Sequence, residues 1–282
     1  MTNMGRAKSY IIITLVYIIA TFAGLVCYFL SPFDPWLSLL VSDAFATVVT
    51  FGFSLLFRNA SVYDPYWSVQ PIVILIAFFV GCEFSMAGLL LVIAVLLWGI
   101  RLTANWAYTF HGMEHQDWRY TMLKETTGGF YPIINFVGIH MVPTLVVYFC
   151  TLPAVFVIYE GAEVTPISIL FLMLSISAVL LQGTSDVQMQ SYRKNRTTPF
   201  IRVGLWKYSR HPNYLGEILM WWSVALYSVA VLGFRWYLIL GALLNTLLFL
   251  FVSIPMADKR QSAKPGFEEY KKETRMLLPI KK

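Results

Sequence analysis

Residues 204–233 read GLWKYSRHPNYLGEILMWWSVALYSVAVLG. From position 213 onward this stretch contains a single charged side chain, Glu217, and it is long enough to cross a bilayer as a helix. The residues before it carry Lys207, Arg210 and His211 among aromatic rings. A helix of membrane length therefore begins directly after a dense polar and aromatic segment. This order predicts a membrane fold with its chemistry at the end of the helix.

The same apolar character extends along the whole chain. Hydrophobic residues make up 58% of the 282 positions and charged residues 13%, with a mean hydropathy of +0.65, whereas a soluble domain has about 25% charged residues. We predict an all-α integral membrane protein, a bundle of seven to eight transmembrane helices with cytoplasmic cofactor-binding loops, in one polytopic domain over residues 1–282. The candidate spans are 9–30, 36–57, 66–81, 86–110, 133–159, 164–190, 213–233 and 235–256.

Two of these runs need a separate argument. Run 66–81 is short and contains Pro71 near its start, so it is either a full span or a re-entrant segment that would leave seven crossings. Run 9–30 follows Arg6 and Lys8, as a signal peptide would, but it is too long for a typical signal sequence and has no A-x-A cleavage site. We expect run 9–30 to be a retained helix.

Basic residues indicate the orientation of the chain. With eight spans, 20 of the 21 Lys and Arg residues fall on one side of the membrane, and the other side holds only Arg235. This asymmetry follows the positive-inside rule and predicts that both termini face the cytoplasm, in a bacterial inner membrane or the endoplasmic reticulum. The basic excess is also compatible with a role limited to topology and contact with anionic lipid headgroups. Neither a nucleic-acid partner nor an obligate protein partner is predicted.

The histidines and cysteines do not form a recognisable metal motif. His111 and His115 have the i, i+4 spacing of zinc ligands on a helix, but the segment lacks the glutamate of an H-E-x-x-H motif. Cys27, Cys82 and Cys150 lie in or near apolar runs, without a C-x-x-C pair. We therefore predict no metal site.

Cations and aromatic rings alternate in the segment before the seventh run. Between positions 193 and 210 there are six Lys and Arg residues and no acid. Arginine forks match phosphate oxygens, and aromatic faces stack on flat heterocycles, so the mixture suits a nucleotide-type ligand with several phosphates. A helix that begins near Asn213 would add free N–H donors. The candidate contacts are Arg193, Trp206, Tyr208, Arg210, His211 and Tyr214.

Two acids flank this segment. Asp186 lies on the same helical face as Arg193, at the end of the sixth run. Glu217 lies one turn after Asn213 inside the seventh run, where a buried glutamate needs a partner or a function.

Residues 204–217 resemble the signature of the steroid 5-alpha-reductase superfamily, and within it the DUF1295 group. The resemblance covers roughly 58–281 and includes DPYW at 64–67, DWRY at 117–120, PMADKR at 255–260 and FEEY at 267–270. It implies a helical fold similar to that of sterol reductases and isoprenylcysteine carboxyl methyltransferases. It also implies NADPH at the cytoplasmic half of the bundle and reduction of a carbon–carbon double bond, often conjugated to a ketone.

The resemblance also implies roles for individual residues. Asp186 and Arg193 match cofactor-contacting positions, and Asn213 and Glu217 match positions near the nicotinamide. The residues expected to stack against the cofactor or to close its pocket are Trp206, Tyr214, Asp258, Arg260 and Tyr270. The family's reductases bind the substrate ketone with an acid and a tyrosine in the N-terminal half, and the candidates here are Asp64 and Tyr66. With Glu217, these two form the predicted catalytic set.

The predicted function is an NADPH-dependent reductase whose apolar lipid substrate enters sideways from the bilayer. One alternative is a methyltransferase that uses S-adenosylmethionine, because that branch shares the R-H-P-x-Y-x-G pattern. The chain lacks the adjacent pair of acids that such methyltransferases carry after the last span, since Asp258 is followed by Lys259. The second alternative is a non-enzymatic lipid-binding or transport protein whose arginines bind anionic lipid.

Overall fold

A computed structural model describes residues 5–280, which form helices joined by short connections and include no β-strand. Lys281 and Lys282, counted in the basic tail, lie outside the described residues. The helices are α1 (Arg6–Leu30), α2 (Pro35–Leu56), α3 (Tyr66–Gly81), α4 (Met86–Thr109), α5 (Trp118–Thr127), α6 (Val142–Tyr159), α7 (Pro166–Lys194), α8 (Pro212–Leu232), α9 (Leu240–Leu248), α10 (Ile254–Ser262) and α11 (Phe267–Glu273).

Several shorter elements extend these helices. A 3₁₀ turn at Ala60–Tyr63 precedes α3, and another at Gly204–Lys207 precedes α8. Two π-helical segments are continuous with α-helices: Ile134–Met141 leads into α6, and Phe249–Ser253 joins α9 to α10. Since π-helix is rare and frequently occurs at functional sites, both segments are candidate positions for a site.

Eight helical stretches within residues 5–280 are long and apolar enough to cross a membrane. The third of them runs over Ala60–Gly81, because the 3₁₀ turn lengthens α3 to a stretch of 22 residues despite Pro71 inside the helix. The predicted all-α, multi-span membrane fold is confirmed, with eight candidate spans rather than seven. The outer surfaces carry exposed apolar side chains such as Phe22, Phe29 and Phe251, as expected where lipid is the solvent.

Local sequence explains where the helices begin and end. α7 starts at a capping box in which Thr165 and Ser168 satisfy each other's backbone N–H groups, with Pro166 at the first helical position. α8 likewise has Pro212 in its first turn. α5 ends at Gly128, whose φ of 51° is a conformation that side chains with a Cβ rarely adopt.

The chain forms two compact units. The first comprises the residues up to Pro71 and Leu102–Tyr148, and the second comprises Ile72–Arg101 and the residues from Phe149 onward. In the first unit, α1 and α2 pack closely at Gly24, where an added Cβ would meet Ala46 at 3.3 Å. The Ser42 hydroxyl donates a hydrogen bond of 2.6 Å to the carbonyl of Gly24.

In the second unit, α7 and α8 approach each other at Gly216. A Cβ at this position would clash with the side chain of Gln182 and lie 2.9 Å from the carbonyl of Ala178. The close approach brings the polar end of α7 against the first turns of α8. This packing places Asp186 and Glu217, the two acids singled out from the sequence, on neighbouring helices.

Candidate functional site

The Glu217 carboxylate is the centre of a hydrogen-bond network in the second unit. Its Oε2 accepts bonds of 2.9 Å from the indole of Trp98 and from the amide of Gln182, and its Oε1 accepts one of 2.9 Å from the indole of Trp221. A guanidinium nitrogen of Arg101 lies 3.7 Å from the same carboxylate. A carboxylate deep in a membrane helix is thus fully partnered, as its burial requires.

Arg101 joins this network to Asp186. Its NH1 donates a hydrogen bond of 2.7 Å to Asp186 Oδ2, while its NH2 faces Glu217. The two acids share one half-buried arginine, which offsets the cost of holding two carboxylates in a low-dielectric region. Arg193, exposed at the end of α7, is near enough to Asp186 for their charges to interact.

Four polar atoms near Glu217 make no hydrogen bond within the described part of the chain. They are Nε and NH2 of Arg101, Oε1 of Gln182 and Oδ1 of Asn213, all buried. Buried donors and acceptors are normally hydrogen-bonded. A cluster that contains both donors and acceptors without hydrogen bonds therefore indicates a ligand or ordered water. A group that carries both a donor and an acceptor, such as a carboxamide, would match this set.

A cationic cluster lies beyond Asp186 and contains Arg193, Arg196, Arg260 and Lys264. Burial, together with the charges of Arg196, Arg260 and Arg193, lowers the pKa of the Lys264 ammonium below its usual 10.5. Mutual repulsion of this kind is relieved by an anion, and arginine forks are suited to phosphate oxygens. The second unit therefore carries a line of charged groups from Glu217 through Arg101, Asp186 and Arg193 to this cluster.

Arg210 fastens the segment before α8 to the C-terminal residues after the last span. This side chain donates 3.0 Å and 2.7 Å hydrogen bonds to Asp258 Oδ2 and to the carbonyl of Thr274, and its backbone N–H donates to the carbonyl of Arg275 at 2.9 Å. His211 adds a 2.9 Å contact from Nε2 to Asp258 Oδ1. Arg210, His211 and Asp258 therefore form a clamp between the segment and the tail, and the buried guanidinium is largely occupied by protein partners.

Aromatic side chains complete the junction between the segment and the tail. The Tyr270 hydroxyl donates a hydrogen bond to the carbonyl of Trp206, and the Trp206 indole donates one of 3.2 Å to the carbonyl of Ser185. Burial raises the pKa of the Tyr270 phenol, so its hydroxyl remains a donor at all ordinary pH values. The His211 imidazole stacks on Tyr214 with ring centroids 5.2 Å apart.

Tyr208 and Arg260 lie at the surface of the second unit. Tyr208 is 42% exposed, with the ammonium of Lys207 5.7 Å from its ring centroid. Arg260 is exposed on α10 and belongs to the cationic cluster. Every residue predicted from positions 186 to 270 thus lies in the second unit, but Arg210, His211 and Asp258 mainly contact one another.

The predicted residues Asp64 and Tyr66 lie in the first unit, in separate acid–tyrosine pairs. The Tyr120 hydroxyl donates a 2.6 Å hydrogen bond to Asp64 Oδ1. The Tyr66 hydroxyl donates one of 2.9 Å to Asp43 Oδ1 instead. The two predicted residues are therefore not partners of each other, although each belongs to the kind of pair that was expected.

Sequence reasoning did not assign roles to six residues of these networks. Trp98, Arg101, Gln182 and Trp221 surround Glu217, and Tyr120 and Asp43 complete the acid–tyrosine pairs. The signal was present for Arg101 and Asp43, since each is the charged residue inside an apolar run, where charge is costly. No signal in the sequence distinguishes Trp98 and Trp221 from tryptophans that face lipid.

Within residues 5–280, no three His, Cys, Asp or Glu side chains come close enough together to hold a metal ion. The rings of His111 and His115 do contact each other, with centroids 5.8 Å apart.

Eight candidate spans, with charged and aromatic networks near the ends of α4, α7 and α8, define a polytopic membrane protein with a polar site. A family model described as "Protein of unknown function (DUF1295)" matches residues 50–274. The protein therefore belongs to the DUF1295 family, which is part of the steroid 5-alpha-reductase-like group, and the resemblance of residues 204–217 is confirmed.

A curated relative is an uncharacterized protein of the fission yeast Schizosaccharomyces pombe, which is 27% identical over 209 residues. The match covers 64% of this chain and 60% of the relative, so the chain spans about three fifths of that protein's length. No solved structure matches the chain.

Proposed function

We propose that this protein is a membrane-embedded reductase that uses NADPH to saturate a carbon–carbon double bond of an apolar lipid. The observation that carries the proposal is the line of groups in the second unit. At one end, around Glu217 and Asn213, buried donors and acceptors have no hydrogen-bond partner. The other end is the cluster of four cations. A dinucleotide with a carboxamide at one end and phosphates further along has the matching chemistry.

The carboxamide end of the line comprises Arg101, Gln182, Asn213 and Glu217. A nicotinamide amide would supply a donor to the open oxygens of Gln182 and Asn213 and an acceptor to the open guanidinium N–H groups of Arg101. Glu217 would hold these groups in place through its bonds to Gln182 and Arg101. Its proposed role is to orient the cofactor rather than to transfer a proton.

The phosphate end comprises Arg193, Arg196, Arg260 and Lys264. Their shared positive potential suits the several negative charges of NADPH. The indole of Trp206 and the stacked rings of His211 and Tyr214 lie in or next to the segment before α8 and are the proposed aromatic neighbours of the cofactor. S-adenosylmethionine has no phosphate, so the cationic cluster favours the reductase over the methyltransferase.

When bound, NADPH supplies a hydride to the β-carbon of an unsaturated carbonyl lipid. The electron pair of the double bond then moves toward the carbonyl oxygen, and a donor must stabilise the negative charge that develops there. A tyrosine held by an acid is suited to this task. The proton that the tyrosine gives to the oxygen would form an enol, and tautomerisation would place a proton on the α-carbon, so that one hydride and one proton are added across the double bond.

We assign the donor role to Tyr120, held by Asp64. Tyr120 donates to Asp64 at 2.6 Å. Both tyrosines are buried, but Asp64 is only half-buried whereas Asp43 is buried, so the acid that holds Tyr120 is the more accessible of the two. Tyr66, held by Asp43, is the second candidate. Asp64 thus keeps its predicted place in the catalytic set.

An apolar groove in the first unit supports a lipid substrate. It has a volume of about 470 Å³ and is lined by Tyr17, Ile18 and Phe22 of α1, Val69 of α3 and Trp106 of α4. Its size lies within the range of roughly 300–1,000 Å³ that is usual for ligand pockets. Because Ile18 and Phe22 are also exposed on the outer face of α1, the groove opens where lipid surrounds the protein.

The test begins with the cofactor that the purified protein binds. Protein in detergent is titrated with NADPH, NADH and S-adenosylmethionine, and binding is followed by calorimetry. We expect NADPH to bind most tightly, and we expect deuteride from labelled NADPH to appear at the β-carbon of at least one lipid in a panel of enones. Tight binding of S-adenosylmethionine with no binding of NADPH would favour the methyltransferase, and binding of neither would favour the non-enzymatic alternative.

A further inference from the structure

A buried polar layer crosses the interior of the first unit and takes no part in the proposed hydride transfer. Tyr66 donates to Asp43, and its ring stacks on Tyr63 with centroids 5.2 Å apart. The Tyr63 hydroxyl lies 2.7 Å from Thr144 Oγ1, which lies 2.9 Å from Thr47 Oγ1. All five side chains are less than 9% exposed, so a substantial group of polar atoms is enclosed within membrane-spanning helices.

The π-helical segment Ile134–Met141 supplies the other side of this layer. His140 is fully buried, and its ring contacts those of Tyr63 and Phe51 with centroids 4.7 Å and 5.1 Å away. His140 Nδ1 lies 2.9 Å from the carbonyl oxygen of Asn135. A carbonyl oxygen only accepts, so Nδ1 carries the proton, and in the neutral ring Nε2 is an acceptor.

The layer contains several hydrogen-bond acceptors that receive no hydrogen bond. Within residues 5–280, no donor reaches Oδ2 of Asp43, Nε2 of His140 or Oδ1 of Asn135, although all three residues are more than nine-tenths buried. An unsatisfied buried acceptor is costly, and three in one layer would lower stability by several kcal/mol, at about 1–3 kcal/mol each. A hydrogen-bond donor would satisfy these atoms, and a hydroxyl group is a small neutral donor.

The apolar groove lies next to this layer. Tyr17 forms part of its lining, and the Tyr17 ring meets the Tyr66 ring edge-on with centroids 5.9 Å apart. Tyr66 in turn contacts Asp43. Tyr66 therefore lies between Tyr17, which lines the groove, and Asp43, which carries an oxygen without a hydrogen bond.

We infer that the first unit recognises a hydroxyl group on an apolar lipid, with Asp43 as the principal acceptor and His140 and Asn135 as further acceptors. The apolar body of the lipid occupies the groove. The same donor chemistry can come from a lipid hydroxyl or from resident water, and we assign it to the lipid because of the adjoining groove. The inference takes its lipid class from the proposed function and narrows it to hydroxylated lipids.

The experiment measures binding without turnover. The full-length protein in nanodiscs is incubated with a radiolabelled saturated sterol that bears one hydroxyl, and the label is displaced with the same sterol, its ketone or its methyl ether. None of these probes has a double bond to reduce, so the result does not depend on hydride transfer. We expect the alcohol to compete at least tenfold better than the ketone or the ether, because only the alcohol can donate.

Variants identify the acceptor. Asp43→Asn keeps the shape and the bond from Tyr66 but replaces the open oxygen with an N–H donor, so the preference for alcohol over ketone should disappear. Asp34→Asn removes the same charge from the exposed start of α2 and should leave the preference intact. His140→Phe preserves the ring contacts, removes one acceptor and should reduce the preference, which provides a second measurement if Asp43→Asn fails to fold.

Three results would overturn the inference. The first is equal competition by alcohol, ketone and ether in the wild-type protein, which would leave water as the occupant. The second is an unchanged preference in well-folded Asp43→Asn or His140→Phe. The third is a loss of preference in Asp34→Asn equal to that in Asp43→Asn. Failure of the proposed reductase appears separately, as a lack of NADPH binding alongside a retained alcohol preference.

Discussion

The indole of Trp98 donates a 2.9 Å hydrogen bond to the carboxylate of Glu217, which joins α4 to α8 across 119 positions of the chain. Trp221 and Gln182 donate to the same carboxylate, and Arg101 lies 3.7 Å away. Glu217 is thus a shared acceptor for three helices, and its removal would leave several buried donors without a partner.

Glu217→Leu should therefore lower the free energy of unfolding by about 3–5 kcal/mol, the range for breaking a buried ion pair. Glu217→Gln keeps the shape and should cost less, about 1–3 kcal/mol, because one donor would face the new N–H₂ group. The measurement is thermal unfolding in detergent, with exposed Glu163→Gln as the control. A Leu variant as stable as the wild type would show that the network contributes little.

Arg193→Ala should weaken NADPH binding by about 1.5–3 kcal/mol, because it removes a charge-assisted phosphate contact from the cationic cluster. The fold should be retained, since Arg193 is exposed at the end of α7. Arg202→Ala is the matched control, as its guanidinium pairs with Glu273. Equal NADPH affinity in wild type and Arg193→Ala would remove this residue from the site.

The affinity for NADPH should fall as the pH rises toward 10.5, through the lowered pKa of Lys264. The ammonium form favours the phosphates, and the folded protein loses this proton at a lower pH than an unfolded chain would. For the same reason the stability of the cofactor-free protein should rise across that window, because the unfolded state then binds more protons. Lys264→Gln should flatten both pH dependences, and unchanged profiles in this variant would contradict the assignment.

Tyr120→Phe should reduce turnover by about 10²–10³, the usual effect of removing one donor from a developing oxyanion, without changing NADPH affinity. Tyr66→Phe should keep most of the activity, since its hydroxyl is assigned to the buried layer. Steady-state rates with a reactive enone lipid separate the two variants. The reverse pattern would transfer the donor role from Tyr120 to Tyr66.

Both termini are expected on the cytoplasmic side, as the distribution of Lys and Arg predicts. In a variant without native cysteines, single cysteines near Pro32 and Gly161 should react with an impermeant reagent applied from outside. A cysteine at exposed Lys272 should react only after permeabilisation. Labelling in the opposite order would invert the proposed orientation.

The helices could be predicted from the sequence because hydropathy over about 20 residues is a strong signal. The third span was ambiguous, since Pro71 weakens the run and the 3₁₀ turn at Ala60–Tyr63 that lengthens it has no apolar periodicity. The π-helical segment before α6 could not be predicted either. A π-helix pairs each carbonyl with the N–H five residues on instead of four, which changes the hydrogen bonds but leaves the apolar composition unchanged.

Some of the site residues could likewise be predicted from the sequence, and others could not. The segment before α8 was found because cations and rings are unusual next to a membrane span. The partners of Glu217 were not, because their role depends on which helices pack together: Gln182 comes from α7 and Trp98 from α4. Only Pro65 separates Asp64 from Tyr66, yet their side chains have different partners, Tyr120 and Asp43 respectively.

The clamp formed by Arg210 has a consequence for biosynthesis. Its guanidinium needs the carboxylate of Asp258 and the carbonyl of Thr274, and the ribosome makes both after the loop that contains Arg210. The eighth candidate span ends at Ser262, close before Thr274, so the seven earlier spans are made well before both partners of Arg210 are available. Those spans can therefore insert before this junction closes, and translation that stalls before Thr274 would leave an embedded chain with an unfastened loop.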